Sequence, residues 1–214
     1  MDAIHTLFGS ALRVKIIRLF LFNPETGFSL SSLSERTQGS IRKVRKEIPL
    51  LLKSGLIKKK LVTDIARKSR RATHGYVLNS AFPHIDALYT FILDTTKLSD
   101  RHVLTKISRL GKVKLIVIAG AFVKQWDSRI DLLIVGDEIK EKELLKTLKS
   151  IEADMGRELR FSYLSLSDFS YRISVYDRLL RDVLDYPHKI LLDRIGIASP
   201  KPIRLLSTVG EGAL

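Results

Sequence analysis

Hydrophobic positions near the N-terminus repeat with a helical period. In "SALRVKIIRLFLF", Leu12, Ile16, Leu19 and Phe20 recur at three- and four-residue spacing, and Ser10 stands where an N-cap belongs. This predicts a helix through Phe22, stopped by Pro24 and Gly27 of "NPETG". In "FSLSSLSERTQGS", Leu30, Leu33 and the aliphatic part of Arg36 suit a short helix, with Gly39 as the turn. Ser40 is placed to cap a third helix, "IRKVRKEIPLLLKSG", that ends at Gly55. At about 100° per residue, Ile41, Val44, Ile48, Leu51 and Leu52 fall on one face of it. Arg42, Lys46 and Lys53 lie opposite, with Lys43 and Arg45 on the flanks. Pro49 sits inside this helix and removes a backbone hydrogen bond at a cost of about 3 kcal/mol, so a kink or a displaced boundary is expected there. "LIKKKLVT" and "HGYVLNS" read as two strands around a basic loop, "DIARKSRRAT".

Two helical stretches follow, over residues 83–95 and 100–110. The first carries a stripe of Leu88, Phe91 and Ile92, and the second ends at Gly111. "KVKLIVIAGAF" is a buried strand with a turn at Gly120 and Ala121, and "RIDLLIVGD" is a second strand. "KEKELLKTLKSIEADMG" predicts a helix ending at Gly156, and "RELRFSYLSL" a third strand. "SDFSYRISVYDRLLRDVLDYPHK" predicts one long helix broken at Pro187, with Asp177/Arg181 and Arg178/Asp182 as supporting i,i+4 pairs. The tail "SPKPIRLLSTVGEGAL" is rich in proline and glycine and is expected to be poorly ordered. The pattern gives an α+β chain: an N-terminal unit over 1–80, linker helices within 81–111, a small α/β unit over 112–197 and a tail over 198–214.

Composition sharpens this. The formal charge is +14, and residues 1–80 hold 16 Lys/Arg against 5 Asp/Glu, so most of the excess lies there. A polyanion partner is the direct physical reading. The absence of cysteine removes disulfides and thiolate zinc sites and fits a reducing cytoplasm. The five histidines are far apart and form no H-x-x-x-H pair, so no metal site is expected from them. Arg13, Lys15 and Arg18 interrupt the apolar start, which argues against a signal peptide. The longest apolar run, "LIVIAGAFV", falls far short of the about 20 residues that cross a bilayer.

Three helices followed by a basic hairpin resemble the winged helix-turn-helix of bacterial and archaeal transcription regulators. The likeness covers about residues 5–80 and rests on "FSLSSLSERT", "GSIRKVRKEI" and "LLKSGLIKKK". It implies a DNA-binding regulator of duplex DNA, in which the helix begun by Ser40 enters the major groove. A helix that buries one stripe and offers cations along its N-terminal half suits that groove, which is about 12 Å wide. Arg42 is the candidate for a guanine contact, and Lys43, Arg45 and Lys46 for phosphates. In the basic loop Arg67, Lys68, Arg70 and Arg71 are candidates to track a backbone or enter a minor groove. A two-fold reader needs a dimer surface, and the helices over 83–110 are candidates for it.

Residues 112–195 resemble the minimal nucleotidyltransferase fold of the DNA polymerase β-like superfamily, on Gly120-Ala121 and "SRIDLLIVGD". That family moves a nucleoside monophosphate from a nucleoside triphosphate with two Mg²⁺ ions about 4 Å apart. Two acids at i and i+2 on a strand point to the same side and hold the ions. Here Asp131 keeps the second acid position, Arg129 occupies the first and Ala121 replaces the family's serine. The third strand has no acid at its centre, with Glu158 only at its start. Asp137 lies about 20 Å along the strand, and Asp127 is in the loop at a spacing that does not fix its face. A guanidinium beside Asp131 would pair with it and repel Mg²⁺, and a plain surface pair of Arg129 with Asp131 is worth about 1 kcal/mol or less. The expectation is a kept fold without metal chemistry, with no catalytic or metal-binding residue and no cofactor. Its vestigial nucleotide pocket would be Gly120, Ala121, Lys124, Arg129 and Asp131, with Lys124 and Arg129 binding the phosphate of an effector. The alternatives are an active Mg-dependent nucleotidyltransferase that holds a nucleic acid or protein partner through the winged helix, and an RNA-binding or structural module.

Overall fold

The computed structural model describes residues 3–63, 72–95, 100–125 and 127–197. A short helix, α1 (Ala3–Leu7), precedes α2 (Ala11–Leu21), and Ser10 Oγ accepts from the Arg13 N–H to cap α2. A two-residue strand, β1 (Phe28–Ser29), leads into α3 (Leu30–Thr37), capped by Ser29 through the Ser32 N–H. Ser40 caps α4 (Ile41–Lys53) through the Lys43 N–H, as its position in the sequence predicts. The helix runs through Pro49 without interruption. Pro49 is exposed, so the carbonyl it leaves without an N–H partner is on a wet face. β2 (Ile57–Thr63) and β3 (Ala72–Leu78) pair antiparallel, and β1 adds to the far side of β3, giving the order β1-β3-β2. Ile16, Leu19, Phe20, Leu33, Val44, Ile48 and Leu51 form one core under this sheet, joined by Ile92 of α5 (Ile85–Thr95). Ile41 is 42% exposed, so the buried stripe of α4 is narrower than its periodicity suggests.

The second half is built around a four-stranded sheet. After α6 (Asp100–Ile107), β4 (Lys112–Ile118) leads through a 3₁₀ turn over Gly120–Val123 and a loop to β5 (Leu132–Asp137). Then come α7 (Glu141–Met155), β6 (Phe161–Leu164), α8 (Leu166–Ser174), α9 (Arg178–Leu184) and β7 (Lys189–Asp193). The strand order is β6-β5-β4-β7, with β6 parallel to β5 and the other neighbours antiparallel. The continuous apolar run of β4 follows from burial on both faces. Ile116, Ile118, Leu132 and Ile134 point to one core with α6 and α7, while Leu115, Val117, Leu133 and Val135 point to the other with α8 and α9. Among the described residues the chain is thus an α+β protein of nine α-helices and two sheets.

The stretch expected as one long helix is two. Val175 and Tyr176 separate them, with Tyr176 at φ 53, and Asp177 caps α9 by accepting from the Leu179 and Leu180 N–H groups. The expected i,i+4 pairs are replaced as well: Asp177 meets Arg172, Arg181 meets Asp185, and Asp182 meets Arg129.

The two halves meet directly. α7 packs across α2 and α3. Gly156, the C-cap of α7 at φ +79, abuts the α2 backbone so closely that a β-carbon there would lie 2.6 Å from the Arg18 carbonyl carbon. Asn23 Nδ2 donates to the Gly156 carbonyl at 2.8 Å, and Arg18, only 5% exposed, donates to the Asp154 carbonyl at 2.9 Å. Arg36 pairs with Glu158 across the same junction.

Candidate nucleic-acid interface

α4 presents its cations on the face opposite its buried stripe. Val44, Ile48 and Leu51 are buried, which fixes the roll of the helix. Arg42, Lys43, Arg45 and Lys46 are exposed, and none has an acid partner among the described residues. At about 100° per residue the four span an arc of about 160°. Ser40 holds the start of the helix. The loop cations Arg67, Lys68, Arg70 and Arg71 lie outside the described residues. Lys58, Lys59 and Lys60 of β2 are exposed and add to the positive surface of the N-terminal half. The word "IKKKL" was the available signal for them, since three consecutive lysines in a strand cannot all be placed on one face.

Of the sequence-predicted nucleotide pocket, Gly120, Ala121 and Asp131 lie together, while Arg129 lines a neighbouring cleft. Asp131 is fully buried. Its Oδ1 accepts from the Ala121 N–H at 2.8 Å and its Oδ2 from the Arg160 N–H at 2.9 Å, with Arg160 Nε at 3.5 Å. The expected Arg129–Asp131 pair does not form: the guanidinium beside Asp131 belongs to Arg160, which the parallel register of β6 on β5 brings alongside. Gly120 and Ala121 form the turn that receives Oδ1. Asp131 is therefore a tie between the end of β4 and the start of β6, with both oxygens occupied by backbone donors.

Arg129 instead lines a cleft of about 390 Å³ with Arg178, Asp127, Asp182, Gln125 and Tyr186, so two acids balance the two guanidiniums there. Its Nε lies 3.5 Å from Asp182 Oδ2. Lys124, which closes the 3₁₀ turn at φ 62, is not part of that cleft's wall. Among the described residues no three His, Asp or Glu side chains gather as a metal-binding group, and no helix is long and apolar enough to cross a membrane.

A charge cluster sits at the junction. Asp154 of α7 meets Lys15 of α2 at 2.8 Å, Lys106 of α6 at 3.3 Å and His102 at 3.5 Å. Burial alone would raise the Asp154 pKa, but the hydrogen bond and charge of Lys15, with those of Lys106, outweigh it and leave the carboxyl below its ordinary value. Its neighbour Glu152 is shifted the other way: burial raises it, although its Oε1 accepts from the Leu159 N–H at 2.8 Å. Neither the cluster nor Arg160 was visible in the sequence, because their partners are distant in the chain. Comparisons with protein-family models, with curated proteins and with solved structures give no match to this chain.

Proposed function

We propose that the chain is a sequence-specific, DNA-binding transcription regulator. In this reading the N-terminal half is a winged helix-turn-helix, with α4 entering the major groove and β2 and β3 carrying the wing. One observation carries it: four exposed cations on one arc of α4, none offset by an acid among the described residues. Such a surface gains free energy by releasing the counterions of a polyanion. Arg42 reads a base edge, while Lys43, Arg45 and Lys46 hold phosphates.

The C-terminal half, in the same reading, is a nucleotidyltransferase-like unit that serves in sensing or dimerisation. What speaks against transferase chemistry is Asp131, whose two oxygens are both engaged by backbone N–H groups. The cleft beside Arg129 is the candidate seat for an effector such as a nucleotide, with Arg178 as its second guanidinium, although Asp127 and Asp182 in the same wall balance the two charges and Arg129 is paired with Asp182.

The deciding experiment is competition between duplex DNA and RNA for the full chain at fixed salt. Preference for particular duplex sequences is the expected result. Equal binding of RNA, or no binding to DNA at low salt, would sink the reading. Titration with labelled nucleotides tests the effector, and the absence of saturable binding would end that part.

A further inference from the structure

A hollow of about 550 Å³ lies beside α4, between the first turns of α2 and the α3–α4 connection. Lys15, Lys43 and Lys46 line it, together with Ser10, Gln38 and Ser40. The one acid in its wall, Glu47, is already held by Arg13 Nε at 2.8 Å. The hollow is therefore strongly cationic. Ser10 and Ser40 each accept an N–H of their own helix through Oγ, which leaves their hydroxyl protons to donate outward. A concavity rich in donors and positive charge fits an anion that only accepts hydrogen bonds. Its volume exceeds that of a lone phosphate and suits a sugar–phosphate unit.

We propose that this hollow seats one phosphodiester of the DNA backbone, flanking the groove that α4 enters, and that Lys15 is shared between this seat and the junction with α7. The inference rests on the DNA-binding reading and adds a residue from α2 to it. Lys15 Nζ now sits 2.8 Å from Asp154 Oδ1. When Lys15 turns to a phosphate, Asp154 keeps Lys106, which already lies 3.3 Å from its other oxygen. No carboxylate is left without a cation. The C-terminal half thus competes with DNA for a single ammonium group.

The test is a salt titration of a short duplex by fluorescence anisotropy. It uses the full chain and its Lys15→Gln, Lys46→Gln, double and Asp154→Asn variants. One seated phosphate contributes about 0.9 to the log–log salt slope. Since both lysines serve the same phosphate, each single variant and the double should lose no more than about 0.9 in all. Asp154→Asn, which frees Lys15, should tighten binding about twofold to fivefold. An unchanged slope and affinity in Lys15→Gln would overturn the seat. So would a loss of about 1.8 in the double, which would mean two separate phosphates. Unchanged affinity in Asp154→Asn would overturn the sharing. Lys46 holds a phosphate on either account, so where Lys15→Gln fails to fold by circular dichroism it is Asp154→Asn, with Lys15 intact, that reads the part of Lys15 in the seat. A wild-type chain that binds no duplex at low salt would instead remove the DNA reading itself.

Discussion

Asp131 Oδ1 occupies the space that a β-carbon on Gly120 would fill. The glycine and the acid are thus two halves of one local device. Gly120 turns at φ +49, and the carboxylate fills its open side and receives the next N–H.

Asp131→Asn is expected to destabilise the chain by about 2–4 kcal/mol, because an amide can accept on one side only and turns its NH₂ toward a backbone N–H. Urea unfolding followed by circular dichroism measures this. Gly120→Ala should fail similarly, since its β-carbon collides with the same oxygen. A loss under about 1 kcal/mol in both would contradict the tie.

Arg129→Asp would place two acids at i and i+2, the spacing of the nucleotidyltransferases that the C-terminal half is proposed to resemble, but is expected to give no nucleotide transfer with Mg²⁺ or Mn²⁺. The second acid of the pair remains engaged by the Ala121 and Arg160 N–H groups. Radiolabelled nucleoside triphosphates provide the assay, and clear transfer by this variant would show that Asp131 can be released.

Arg42→Ala should relax base preference and cost about 1–3 kcal/mol on the preferred site. Lys59→Ala should weaken all duplexes alike and lower the salt slope. With roughly 6–8 phosphate contacts the wild-type slope is about −5 to −7. Anisotropy on a panel of duplexes separates the two variants, and identical profiles would overturn the division between base and backbone contacts.

The two shifted carboxyls on α7 give opposite pH dependences. Asp154 is lowered in the folded chain, so its contribution is complete above its unfolded value, near 3.8, and is lost as pH falls through the lower folded one. Glu152 is raised, so it opposes folding at neutral pH and that penalty is relieved on acidification. Asp154→Asn should therefore flatten the acid loss of stability, and Glu152→Gln should steepen it. Unfolding curves between about pH 7 and pH 2 decide the signs.

The helix caps were legible in the sequence because their physics is local. Ser10, Ser40 and Gly156 each act within a few residues of themselves, and each sits where spacing placed it. The alternating faces of β4 and β5 were not legible, since a strand buried on both sides loses its polar–apolar rhythm. β7 was missed because "KILLD" is too short to separate strand from helix, and it finds its place only beside β4. At the candidate site, the exposed face of α4 followed from helical period alone. The partner of Asp131 did not, because 29 residues and a parallel crossover separate it from Arg160. Lys15 and Asp154 are further apart still, and no periodic signal links them.

Among the described residues β2 ends its sheet, so one side of its backbone has no described strand beside it. Such a rim is a template on which identical chains can zip together into aggregates. Lys58, Lys59 and Lys60 line it with like charge, and two copies approaching rim to rim repel each other. The same three ammonium groups that would meet a polyanion in the proposed reading are thus set to oppose rim-to-rim association, and neutralising all three is expected to lower solubility along with affinity.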